Sequence, residues 1–177
     1  MKVFLAGTKN YRLVRQNSIY CLDSFVEVNP KKPSDHRLFE DYLLDSGAFT
    51  FMFSKKDQKV DWNEYIDRYA AYVKQNGIKN YFELDIDSIV GYDNVLKLRS
   101  KLEQKVGWPC IPVWHYSRGK EEFSKMCESH KYVAIGGIAG DKKLRNRLTP
   151  YLRHFIDEAH RKGARIHGLG FTSTNLL

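Results

Sequence analysis

Seven short apolar runs punctuate the chain, each stopping at polar or glycine-rich residues, and segments of helical period separate most of them. They cover residues 3–6 before Gly7 and Thr8, 19–22 before Asp23 and Ser24, 42–44 before Asp45, 81–84 before Asp85, 111–114 before His115, 132–135 before Gly136 and Gly137, and 166–169 around His167 and Gly168. The clearest helix is predicted over 61–76, where Trp62, Tyr65, Ile66, Tyr69, Ala70 and Val73 fall on one face. Asp61 and Glu64 have the spacing of a capping box, and Gly77 suits the left-handed close of the helix. A second helix is predicted over 149–162, with Thr149 as cap, Pro150 at the first helical position and Gly163 after the last turn. Val95, Leu96, Leu98 and Leu102 predict a third before Gly107, and Phe123, Met126 and Cys127 a fourth. Strand, helix, strand, repeated with short linkers, predicts a parallel α/β sheet, either doubly wound or closed into a barrel.

Composition adds that this is one globular domain: 177 residues, 42% of them hydrophobic, can bury a proper core, and no shift in composition marks a boundary. No apolar stretch approaches the ~20 residues of a membrane span. The start lacks the length of a signal peptide, so the cytoplasm is the expected location. Cys21, Cys110 and Cys127 are odd in number and far apart, which argues against a disulfide framework or a cysteine zinc site.

Charge changes the picture of partners. A formal net charge of +8 favours a polyanion, and it is unevenly spread. Lys2, Lys9, Arg12 and Arg15 precede the first acidic residue, and the run Lys142, Lys143, Arg145, Arg147 follows directly on a predicted strand end. Such a run is either a solvated loop or a set of sequence-independent phosphate contacts.

The candidate chemistry sits at the strand ends. Asp45, Ser46 and Gly47 close an apolar run, placing a carboxylate at the carboxyl end of a strand, where α/β folds keep their sites. The alternative is an Asx turn that merely stops the strand. The ordered set residues 44–49, then Glu83, Leu84 and Asp85, then residues 134–140, then residues 167–170 resembles the motif succession of the tRNA-guanine transglycosylases, (β/α)8 barrel enzymes that exchange a guanine in nucleic acid for a 7-deazaguanine. It is most similar to a short bacteriophage branch of that superfamily, related to the enzymes that place deazaguanines in DNA.

The resemblance implies specific roles. Asp45 matches the aspartate beside the glycosidic bond, with Ser46 next to it, and Phe49 the aromatic that stacks on the purine, a contact worth about 1 to 3 kcal/mol. Asp85 matches the carboxylate that reads the Watson-Crick edge of guanine, whose N–H groups it could accept. Gly136, Gly137 and Ile138 match the turn whose backbone approaches the base, His167 matches an apolar residue near the other face, and His115 falls near a glutamine that contacts the purine carbonyl. From the residues alone, His115 is as readily a buried, satisfied histidine, and Asp87 either shares the strand face of Asp85 or caps the following turn.

Two family features have no counterpart. These are the cysteine-rich zinc site and the nucleophilic aspartate of the last barrel strand. The expectation is therefore a (β/α)8 TIM barrel lacking its last strand, a C-terminally incomplete single domain over 1–177, whose open sheet edges would pair with another chain, a second copy included. No cofactor or metal is expected. The expected activity is replacement of guanine in tRNA or DNA by a 7-deazaguanine of the queuosine type, with nucleic acid and a free purine or deazapurine base as partners. The alternatives are a catalytically inactive binding module of the same fold, or an unrelated barrel hydrolase that holds a phosphorylated metabolite through the basic segment.

Overall fold

Proline and glycine divide what the apolar runs would otherwise join. The computed structural model describes residues 2–6, 19–29, 31–32, 35–47, 50–51, 60–138 and 141–171. The chain falls into two compact units, Met1–Cys110 and Ile111–Leu177.

In the first unit, β1 (Phe4–Ala6), β2 (Tyr20–Ser24) and β3 (Asp41–Asp45) form a parallel sheet in that order. The register sets Leu22 against Leu43 and Ser24 against Asp45. Residues 81–84 approach β3 but contribute only one parallel bridge, Tyr81 to Leu44. Helix α1 (Trp62–Asn76) covers this assembly, with Tyr65, Ile66, Tyr69, Ala70, Tyr72 and Val73 buried. Its start follows the capping expectation in part: the Asp61 carboxylate accepts from the Asn63 and Glu64 amides at 2.9 and 3.1 Å. Its end is fixed by Gly77, at φ +66°. After the short helix α2 (Asp87–Val90), α3 (Tyr92–Val106) buries Val95, Leu102 and Val106 and closes at Gly107.

The second unit holds β4 (Val113–Trp114), α4 (Gly119–Ser129), β5 (Tyr132–Ile135), α5 (Lys142–Leu148), α6 (Leu152–Arg161) and β6 (Arg165–Gly168). Its sheet is parallel in the order β4-β5-β6. Phe123, Met126 and Cys127 of α4 join Trp114, Val133, Ile135 and Phe155 in its core.

These elements correct the expected barrel. Among the described residues the strands form two three-stranded parallel sheets, with no eight-fold ring. Alternation marked where the chain is extended and apolar, but it did not count ladder hydrogen bonds. Residues 81–84 form one bridge before Asp87 begins a helix, and the 111–114 run keeps a two-residue strand beside Pro112, which has no N–H to donate. The expected 149–162 helix is also redrawn. Thr149 is no cap: its hydroxyl donates back to the Arg145 carbonyl at 2.8 Å, inside a helical run that begins at Lys142. Around Pro150 the run tightens to a 3-10 turn before α6. All three cysteines are free and buried. No helix among the described residues is long and apolar enough to cross a membrane.

Candidate active site

The carboxyl end of β3 gathers the chemistry of the first unit. The chain leaves the sheet through Asp45, Ser46 and Gly47, and the Gly47 amide donates to Asp45 Oδ2 at 3.2 Å. This is the Asx turn that the sequence allowed, so the turn and the site are the same feature. Gly47 holds φ +79°, and a Cβ there would lie 2.6 Å from Val26 Cγ1, so only glycine fits. The backbone carbonyl of Asp45 is occupied too, accepting from the Phe25 amide at 2.8 Å.

What separates this aspartate from an ordinary turn residue is its proton affinity. Burial first, and then the charge of Asp85, push the Asp45 carboxyl up to about 7, against the opposing pull of the Gly47 and Ser46 amides. A carboxyl held near neutrality can both give and take a proton at physiological pH.

Two tyrosines of α1 reach into the same turn. Tyr65 Oη donates to the Ser46 carbonyl at 2.5 Å, while Tyr69 Oη lies 3.1 Å from the Leu44 carbonyl and 3.0 Å from that of Phe82. The sequence reading took them only as apolar positions of a helical face. The missed signal was chemical, because a buried face could be built from Leu or Ile, whereas a buried phenol must find an acceptor. Asp87 lies in the first turn of α2 rather than on an extended strand with Asp85. Nearby, Glu83 is fully buried and pairs with Arg99, Nη1 to Oε2 at 3.4 Å. Burial works against the Arg99 charge, and Glu83 beside it more than restores it. Cys110, donating from its amide to Glu103 at 3.0 Å, is pushed far above the ordinary thiol range by burial and by Glu83 and Glu103, which leaves it a packing group rather than a nucleophile. Phe49 lies outside the described residues, as do Lys9, Arg12 and Arg15.

The second unit carries the remaining candidates. His115 follows β4 and Gly136 follows β5, and the two glycines have a local explanation: a Cβ on Gly136 would meet Val113 Cγ1 at 2.5 Å, and one on Gly137, at φ +72°, would meet the His115 ring at 3.1 Å. Ile138 is wholly buried in the core of this unit. His167 lies within β6, aligned with Ala134. The basic run is helical rather than a loop, with Asp141 capping α5 by accepting from the Leu144 amide at 2.9 Å. Lys142, Lys143 and Arg147 are exposed and Arg145 half-buried. The Arg147 guanidinium lies over the Tyr116 ring, 5.3 Å from its centroid. Residues 111–177 carry twelve Lys and Arg against six Asp and Glu, whereas residues 1–110 carry seventeen against fifteen, so most of the excess positive charge belongs to the second unit.

His167 yields a pH prediction. Burial first, and Arg165 second, lower its imidazole to about 4, below the 6.5 of an unperturbed histidine. The folded state therefore binds fewer protons than the unfolded one, and the stability held above pH 6.5 is lost as pH falls towards 4. At about 1.4 kcal/mol per tenfold change in proton affinity this amounts to roughly 3 kcal/mol. Urea titrations of His167→Leu and the parent chain should show the difference between them moving by about that much in the variant's favour from pH 7 to pH 4. A difference that does not vary with pH would contradict the buried neutral imidazole.

No protein-family model, curated protein or solved structure matches the chain.

Proposed function

We propose that the chain is a base-exchange glycosyltransferase acting on guanine in nucleic acid, with Asp45 as its proton-transfer group. The observation that carries this reading is the half-buried Asp45 carboxyl, poised at about 7 beside the charge of Asp85 at the end of a parallel strand. The motif resemblance supplies the reaction.

In the first step a protein carboxylate attacks C1′ of an extruded guanosine or deoxyguanosine. The C1′–N9 bond breaks and Asp45, in its acid form, gives its proton to the departing guanine. In the second step a free 7-deazaguanine attacks C1′, the sugar–carboxylate ester breaks, and ionised Asp45 takes the proton of the incoming base. Atoms and charge balance over the cycle, and Asp45 ends protonated as it began. A group titrating near 7 suits both halves, because one needs the acid and the other the base. Lys142, Lys143, Arg145 and Arg147 supply phosphate contacts, which makes affinity fall with salt. The reading places the protein in the cytoplasm.

Incubation of the full chain with radiolabelled guanine and, separately, tRNA, single-stranded DNA and duplex DNA tests this. Label should enter at least one of them. No incorporation into any would overturn the reading. A second reading, a base-binding module without catalysis, is favoured by the Asx turn, since the Gly47 amide already engages Asp45. It expects retention of labelled base or oligonucleotide with no exchange.

A further inference from the structure

Helix α1 carries two buried hydroxyls one turn apart, and both are spent on main-chain carbonyls at the place where the first sheet stops zipping. Tyr65 meets the carbonyl of Ser46, directly after Asp45. Tyr69, fully buried, lies between the carbonyls of Leu44, directly before Asp45, and Phe82, three residues before Asp85. Beyond the single bridge from Tyr81 to Leu44, with the Phe82 amide donating to the Leu44 carbonyl at 3.0 Å, no further ladder bonds hold residues 83–85 to β3 among the described residues.

We propose that the Tyr65 and Tyr69 hydroxyls are positioning groups that clamp the end of β3 against the 81–84 segment and thereby fix the separation of the Asp45 and Asp85 carboxylates. Position is what matters here, because the interaction of two like charges in a partly dry site varies steeply with distance. Both phenols keep their protons at all working pH, since burial, and after it the Asp45 charge, raise them far above the ordinary tyrosine range. They remain donors while Asp45 titrates. The other groups around Asp45 are accounted for. Ser24 faces it across the ladder from β2, and Asp23, one position back, accepts from Tyr42 Oη at 3.1 Å. Arg68 of α1 lies over the Tyr65 ring, 5.7 Å from its centroid. None of these replaces the link from Leu44 to Phe82.

The catalytic consequence rests on Asp45 as the proton-transfer group, whereas the clamp itself does not. The test is carbon-detected NMR titration of the Asp45 carboxyl in the full chain, its signal assigned with Asp45→Asn, in the parent, Tyr65→Phe, Tyr69→Phe and Tyr81→Phe. Tyr81 is the control, a buried phenol that donates to the Trp108 carbonyl instead. Tyr65→Phe and Tyr69→Phe should each lower the midpoint by about one pH unit or more, a tenfold loss of proton affinity, while Tyr81→Phe leaves it in place. Should Tyr69→Phe not fold, Tyr65→Phe carries the test. An unmoved midpoint in the folded variants, an equal movement in Tyr81→Phe, or a parent midpoint in the ordinary carboxylate range overturns the clamp. Exchange of guanine with an unmoved midpoint would leave the proposed function standing without the clamp, and a moved midpoint without exchange would leave the clamp standing without the function.

Discussion

Asp45→Asn is expected to abolish base exchange and, at pH 8, to make the protein more stable. Both follow from one number. The carboxyl moves from the ordinary aspartate value of 3.8 to about 7 on folding, so the folded state holds a proton that the unfolded chain releases. Below pH 4 both states are protonated and the difference vanishes. As pH rises through 7 the folded carboxylate must ionise beside Asp85 in a poorly solvated turn, and the fold gives up roughly 4 kcal/mol relative to a neutral side chain. Asparagine is nearly isosteric, and its carbonyl can still accept from the Gly47 amide, so it removes the penalty and keeps the turn. Urea titrations should place variant and parent together near pH 4 and separate them progressively up to pH 8, with the variant the more stable. In the same variant exchange should fall by about 10² to 10⁴, the usual worth of a positioned acid-base group. Stability rising as activity falls is the mark of a group held in a costly state for function. A variant less stable than the parent at pH 8 would show that Asp45 is only the turn-former.

The second large effect concerns the ion pair of Glu83 and Arg99. Glu83 is fully buried and the Arg99 side chain 12% exposed, so removal of either leaves the other as an uncompensated charge in a dry interior. Arg99→Met or Glu83→Gln should each cost about 3 to 5 kcal/mol, measured as a fall in the urea midpoint. The double variant Glu83→Met with Arg99→Met should recover most of that loss, because the pair itself is worth little beyond well-packed apolar groups of its size. Single losses below about 1 kcal/mol would mean that water reaches the pair. Since Glu83 is two residues from Asp85, the cycle also asks whether the pair secures the segment that brings this charge towards Asp45.

The course of the chain was legible wherever the cause was local. Asp61 and Gly77 announced the two ends of α1, and the apolar runs coincide with the strands because alternation and glycine act on neighbouring residues. The expected barrel was not legible. Closure depends on which strands share ladders and for how many residues, and a run such as 81–84 reads as a strand whether it forms one bridge or five. Thr149 shows the same limit at the scale of one turn: cap and helix-interior roles use the same residue, and the preceding Arg145 carbonyl decided between them.

The candidate site divides in the same way. The sequence by itself placed Asp45 at the end of an apolar strand, in a turn that only Gly47 allows, and these are properties of adjacent residues. Only the tertiary structure could decide that this carboxyl titrates near 7. Its proton affinity is set by the water excluded around it, by Asp85 forty residues further on, and by two tyrosines on a helix between them, and those terms exist only once the chain has folded.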